Sequence, residues 1–192
     1  MRTYATWNPS DKSAGVTLSG GNLTAAVSIT PGAVRSTIGK SSGKWYWEMT
    51  VGSVDGAGNP LLSGIGLSTA DINSSNPYPG SDANGYGYYG ANGQKYNNGS
   101  GAAYGATYTT NDVIGFALDM GAGTITFYKN GVSQGTAFTS LSGTFFALVG
   151  GTYGASVSGT YNFGATTFAQ SVPSGFNPGL YDDTNSNFLM FM

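Results

Sequence analysis

The stretch that decides the fold is Asn111-Asp112-Val113-Ile114-Gly115-Phe116-Ala117-Leu118-Asp119-Met120, followed by Gly121-Ala122-Gly123-Thr124-Ile125-Thr126-Phe127-Tyr128-Lys129-Asn130-Gly131. Over 112–120 the even positions Ile114, Phe116, Leu118 and Met120 fall on one side. Val113, Gly115 and Ala117 fall on the other, so both sides are apolar or small, as in a central strand covered on both faces. Gly121-Ala122-Gly123 supplies a reversal. The next segment alternates from Thr124 to Tyr128 and ends on Asn130-Gly131, a pair that tolerates the positive φ angles of a two-residue hairpin.

Working outward, 44–51 alternates as clearly: Trp45, Trp47, Met49 and Val51 share one face, and Lys44, Tyr46, Glu48 and Thr50 the other. The first face reads as core and the second as outside it. Shorter runs at 16–19, 22–27, 61–68, 86–89, 94–97, 132–138, 145–149 and 157–163 are mostly bounded by Gly, Asn or Ser. No useful stretch carries a 3.6-residue apolar period. Many short strands without intervening helices point to an all-β fold, two antiparallel sheets packed face to face. A closed barrel suits the pattern less well, because a strand apolar on both faces needs cover outside as well as inside. A chain of 192 residues is expected to form one such unit over 1–192, with 182–192 a closing or docking tail.

The order of these motifs resembles the SPRY domain family. Gly43-Lys44-Trp45-Tyr46-Trp47-Glu48, Ile65-Gly66-Leu67, and Tyr86-Gly87-Tyr88 with Gly93-Gln94-Lys95 are similar to its first half. The run from Asn111 to Gly131, then Gly135-Thr136-Ala137-Phe138 and Asn162-Phe163-Gly164, is similar to its most diagnostic part. The resemblance implies a bent β-sandwich of two antiparallel sheets, a concanavalin-like jelly roll, acting as a recognition module without catalysis. The flanks, Trp7-Asn8-Pro9, Leu18 and Asn22-Leu23-Thr24 on one side and Pro173-Ser174-Gly175-Phe176 on the other, resemble the versions found in tailed bacteriophages. Family members bind through variable loops outside the shared motifs, so the resemblance assigns no binding residue.

Composition excludes several chemistries. The chain has no His and no Cys, so a Ser-His-Asp triad, a Cys-His pair and the usual zinc ligand sets cannot be built. Glu48 is the only Glu, where glycosidases need a facing pair of carboxylates. On its strand face beside Lys44 it reads as solvated or salt-bridged rather than as a general acid. Asp112, Asp119, Asp71-Ile72-Asn73 and Asp82-Ala83-Asn84-Gly85 read as turn formers, since no calcium loop ending in Glu follows. No metal or cofactor is expected. A net charge of -2 from scattered charges gives no field to draw a polyanion, which argues against nucleic acid. The start lacks a signal-peptide apolar core and no apolar run approaches the roughly 20 residues of a membrane span, so a soluble product without membrane insertion is expected. The N-x-S/T matches at Asn22, Asn73 and Asn98 read as chance in a chain so rich in these residues.

The stretch 76–108 carries Tyr78, Tyr86, Tyr88, Tyr89, Tyr96, Tyr104 and Tyr108 amid Gly, Asn and Ser, with only Asp82 and Lys95 charged. Tyr gives large amphipathic contact area at small entropic cost, and Gly, Asn and Ser let loops adapt, so the mixture suits a recognition surface. Packing across neighbouring strands is the competing reading, above all for Tyr86 and Tyr88. The expected binding residues are Tyr78, Tyr86, Tyr88, Tyr89, Tyr96 and Tyr104, together with Phe188, Leu189 and Phe191 of the apolar tail. That tail either closes the sandwich against the N-terminal segment or docks on a partner. Trp7, Trp45 and Trp47 read as core. With the phage-like flanks, these features lead to the expectation of a virion accessory protein, a capsid decoration or tail-associated protein contacting other virion proteins. It would be made in the host cytoplasm and carried on the particle. The alternative is a phage-tail adhesin for a receptor protein or host surface glycan. Decoration would favour homo-oligomers, since a capsid repeats one site many times.

Overall fold

Alternating β-branched and aromatic residues between Gly- and Asn-rich turns produce strands throughout the computed structural model, which describes residues 1–28, 30–151 and 157–183. In chain order they are β1 (Arg2–Tyr4), β2 (Trp7–Lys12), β3 (Val16–Ser19), β4 (Thr24–Val27), β5 (Gly32–Lys40), β6 (Lys44–Val51), β7 (Leu62–Leu67), β8 (Gly85–Tyr89) and β9 (Gln94–Asn97). There follow β10 (Ser100–Ala103), β11 (Val113–Asp119), β12 (Thr124–Lys129), β13 (Val132–Phe138), β14 (Phe145–Gly151), β15 (Val157–Asn162), β16 (Asn177–Pro178) and β17 (Tyr181–Asp183). One sheet runs β10-β9-β8-β7-β14-β5-β2 and the other β13-β12-β11-β6-β15-β4-β3, with short β16 running parallel to β6. All other pairings are antiparallel, and there is no helix among the described residues, as the strand pattern predicts.

The centre of the second sheet is β6 against β11, in a register that sets Phe116 opposite Trp47 and Ile114 opposite Met49. Trp47 and Phe116 stack with centroids 5.3 Å apart, and both are fully buried. Phe127 on β12 packs edge-on to Phe116, while Trp7 comes in from β2 against Tyr161 and Phe163. These rings fill the space between the sheets. The hairpin after β12 turns at Asn130 and Gly131 with φ of 49° and 79°, the left-handed pair the sequence calls for.

Every residue of β11 is buried, so its outer face is covered too. The expectation that Tyr46 and Glu48 lie on a face outside the core is therefore corrected. Both are buried under the chain at 168–170: Phe168 packs edge-on to Tyr46, and the Ala169 and Gln170 amides donate to Glu48 at 2.8 and 2.9 Å. The Tyr46 hydroxyl donates to the same carboxylate at 2.9 Å, and burial pushes that phenol well up from its ordinary value. Glu48 is neither solvated nor salt-bridged; it is satisfied by donors, as a buried carboxylate must be. Gly115 leaves the space for the Tyr46 hydroxyl, which a Cβ there would meet at 2.5 Å.

Further contacts complete the fold. Strand β5 carries Arg35 and Ser36 in a run that does not alternate, because it is buried on both sides. Arg35 makes a forked pair with Asp11 on β2, Nε to Oδ2 at 2.7 Å and Nη2 to Oδ1 at 2.8 Å, and donates through Nη1 to Ala70 O at 2.6 Å. Pro9 sits on β2, an edge strand whose pairing with β5 shifts register, the place where a strand tolerates a residue without an N–H. The chain ends are tied together as β17 pairs with β1, reinforced by Arg2 to Asp183 at 3.4 Å and Lys40 to Asp182 at 2.7 Å. This pairing uses Tyr181–Asp183; the apolar tail with Phe188, Leu189 and Phe191 lies outside the described residues.

Two predictions follow from these contacts. Replacing Asp11 by Ala leaves a guanidinium that is 9% exposed without its partner, and should lower unfolding free energy by about 2–4 kcal/mol in urea titration. Asp119, bonded by Lys44 and by the Gly121 and Ala122 amides, is held below the ordinary carboxylate range. Asp112 is also held low: burial opposes its ionisation but is outweighed by the Thr109 amide, Asn130 and Lys129. A carboxyl whose folded pKa lies below its unfolded value of about 3.9 adds stability above that value and loses it as pH falls through the folded pKa. Thermal melts should therefore be flat in this respect above pH about 5 and drop in more acid solution, less steeply with Asp119→Asn.

Candidate functional site

At one end of the first sheet, β7 begins while β8 and β14 end, and their loops meet there. Between them is a cavity of about 210 Å³ lined by Asp55, Asn59 and Pro60 from the loop before β7, by Asn76 and Tyr78 from the loop before β8, and by Tyr89 and Tyr96. Among the described residues, Leu62, Gly151 and Val157 also line it.

Its shape follows from glycines in the strands beneath it. A Cβ on Gly87 would overlap Pro79 O and a Leu62 methyl, and one on Gly150 would come within 2.7 Å of Pro77 O. Without side chains at these positions, the 77–80 segment lies directly on the sheet, and Tyr78 is carried to the cavity edge. Asp55 shapes the opposite wall: Oδ1 accepts the Ala57 and Asn59 amides at 2.9 and 2.7 Å, and Oδ2 accepts Asn59 Nδ2 at 2.9 Å. These bonds, the Asn59 amide foremost, hold its carboxyl below the ordinary range, so it carries a charge at neutral pH.

The three tyrosines form one cluster. The Tyr96 ring stands edge-on to Tyr78 at 6.1 Å and to Tyr89 at 6.3 Å. Its hydroxyl donates to Gln94 Oε1 at 2.8 Å and accepts from Asn92 Nδ2 at 2.9 Å, which fixes the ring. Burial raises the phenol pKa of Tyr78 and Tyr89, helped by Tyr96 in the first and by Asp55 in the second, so both remain neutral in the physiological range. The site thus offers three tyrosine rings and one carboxylate. Behind the same loop, a polar recess includes Asn59, Asp112 and Lys129, but its carboxylate is already met by Lys129 at 3.4 Å.

Of the expected binding tyrosines, Tyr78, Tyr89 and Tyr96 come together at this cavity. Tyr86 packs edge-on to Phe138 and Phe145. Tyr88 is fully buried, bonded to Ala106 O and ringed by Tyr104, Tyr108 and Phe127; burial pushes its phenol up to about 12. Tyr104 donates to Gly135 O at 2.6 Å and accepts the Phe127 amide at 3.1 Å, bridging β13 and β12. Phe188, Leu189 and Phe191 lie outside the described residues. Sequence reading missed Asp55, Asn59 and Pro60. The Asp55-Gly-Ala-Gly-Asn-Pro60 run is a visible turn signal, but nothing local shows that it faces Tyr78. Asp71, Asp82 and Asp112 do act in turns, accepting the amides of Asn73, Asn84 and Thr109.

Comparison with known proteins places this geometry. Ran-binding protein 9 of Xenopus laevis is 40% identical over 144 residues, covering 70% of this chain and 26% of that protein. The human protein of the same name is 38% identical, and the Drosophila melanogaster homolog of Ran-binding proteins 9/10 is 36% identical. The chain spans about a quarter or less of the length of these relatives. The solved SPRY domain of human HERC1 superimposes with a TM-score of 0.71 at 19% identity, over 81% of this chain and 96% of that one. Another human SPRY domain gives 0.64 at 20% identity, over 80% and 98%.

The relatives overturn the phage expectation. They are eukaryotic Ran-binding proteins, and nothing in the comparisons indicates a bacteriophage protein, so a virion location, capsid or tail partners, a phage-adhesin role for glycans and decoration-driven oligomers fall together. In the flanks taken as phage-like, Trp7 is core, 173–176 is a surface turn closed by the Phe176 amide on Pro173 O, and the Phe176 ring lies 5.8 Å from Lys44 Nζ. They carry no mark of source. A family model for the SPRY domain matches residues 44–166, which include every described residue of the cavity lining, and with four ordered motifs and the sandwich itself in agreement, the chain belongs to the SPRY domain family, whose members generally serve as protein-interaction modules.

Proposed function

We propose that this chain is a non-catalytic protein-interaction module that grips an extended segment of a partner protein at the Tyr78, Tyr89 and Tyr96 cavity. The observation that carries the reading is the convergence of three tyrosine rings on one loop-built cavity inside the family-matched region. Rigid aromatic walls bounded by Asn and backbone polar groups suit side-chain capture. Volume supports the same reading, because about 210 Å³ lies below the roughly 300–1,000 Å³ of a pocket that encloses a whole small molecule. It suits one protruding side chain of a longer ligand. The absence of catalysis is supported by composition, with no His, no Cys and a single Glu that is buried and fully bonded. The printed name of the relatives concerns Ran, but the chain matches only a part of them, and the reading does not extend to that partner.

Selection from a random peptide library displayed on a carrier tests this. Peptides that enrich on the wild type should compete with one another and shift the amide resonances of Tyr78, Tyr89 and Tyr96. Tyr78→Ala should weaken them at least about tenfold, some 1.4 kcal/mol, with an unchanged melting profile. Gly87→Ala should weaken them as well, by pushing the 77–80 segment off the sheet. Peptides that bind with these variants as they do with wild type would place recognition elsewhere on the molecule.

A further inference from the structure

All seven Lys and Arg side chains of the chain are engaged away from the cavity. Arg2 lies over the Tyr181 ring beside Asp183, Lys12 donates to Val16 O, and Arg35 pairs with Asp11. Lys40 lies over Trp45 beside Asp182, Lys44 pairs with Asp119, Lys95 donates to Ala137 O over the Phe138 ring, and Lys129 pairs with Asp112. Asp11, Asp112, Asp119, Asp182 and Asp183 are thus matched by the protein's own cations, while Glu48, Asp71 and Asp82 accept from neutral donors. Asp55 also lacks a cation, and it stands in a cavity beside three tyrosine rings that none of the chain's Lys or Arg side chains lines.

The geometry points to a cationic side chain of the partner as the occupant: we infer that Tyr78, Tyr89 and Tyr96 form an aromatic cage, closed by Asp55, for an ammonium or guanidinium group. This deepens the proposed function and rests on its reading of the cavity as the ligand site. Perpendicular rings lining one cavity turn their π systems in different directions, and a cation meeting a ring face gains an electrostatic attraction that an apolar group, which gains only burial, lacks. Asp55 spends its bonds on the Ala57 and Asn59 groups, but those donors are neutral and its net charge remains for a cation. The hydroxyl of Tyr96 is already bonded to Gln94 and Asn92, so its ring contributes its face rather than a polar handle. A narrow volume of about 210 Å³ admits a long stem with a charged tip.

Nuclear magnetic resonance titration with acetyl-lysine amide, acetyl-arginine amide, tetramethylammonium and the neutral acetyl-norleucine amide separates the outcomes. The cations should shift Tyr78, Tyr89 and Tyr96 resonances and the norleucine probe should not. Tyr89→Phe, which keeps the ring, should hold cation affinity within about twofold, while Tyr89→Leu should lose about 5- to 30-fold. Asp55→Asn should also weaken every cation while Asn still accepts the loop amides. The ranking of the three cations identifies whether Lys, Arg or a quaternary ammonium is preferred. Norleucine binding as well as lysine, or equal loss with Tyr89→Phe and Tyr89→Leu, would overturn the cage, and so would no binding by any cation. Selected peptides that still map to the cavity would then leave the interaction reading standing, whereas peptides mapping elsewhere would end both.

Discussion

The structure depends on a single constraint: β11 has no exposed residue, so the protein must cover a strand on both faces. One face, where Ile114, Phe116 and Leu118 stand beside Met49, Trp47 and Trp45 of the neighbouring β6, belongs to the core shared with Ile65, Tyr88 and Val149 of the opposite sheet. The other needs a cover that no sheet supplies, and the chain after β15 provides it, held by two amides on the buried Glu48. A buried carboxylate is tolerated here because each oxygen meets a donor, while Gly115 and Ala117 keep that layer thin. A purely apolar layer at this position would pack as well but would not fix where the covering segment lies.

While the centre of the second sheet is committed to burial, the loop ends of the first build the cavity. There the glycines at 87 and 150 have an effect opposite to that of a core residue: by removing bulk they let a loop lie on the sheet and so build a wall. The resulting cavity joins residues far apart in sequence, Asp55 with Tyr78 and Tyr96, on a scaffold whose strands are paired on both sides. Recognition groups on loops over a stiff sheet are the usual division of labour in such folds. The charge distribution agrees with it, since the chain's own cations are consumed in ion pairs and ring contacts on other surfaces.

Several elements were legible from residue order. Strands 16–19, 44–51, 94–97 and 132–138 have the bounds that alternation indicates, and the Asn130-Gly131 turn takes its expected conformation. The motifs from Gly43 to Gly164 identified the family correctly. Strand β5 was not legible, because a strand buried on two sides around Arg35 and Ser36 has no period to detect. The flanks misled for a related reason. Trp7 is a core residue and 173–176 a surface turn, and such local features of a sandwich say nothing about the organism that uses it.

What the sequence by itself determined is therefore the class of structure: period-two alternation and turn chemistry are local, and a strand that alternates states its own inward face. The absence of His and Cys likewise removed whole kinds of chemistry without reference to shape. Only the tertiary structure decided which tyrosines stand at a cavity and which are core, and that Glu48 lies buried under 168–170. Those outcomes turn on which distant segments meet, and side chains of one type in one stretch differ only in what the rest of the chain brings over them.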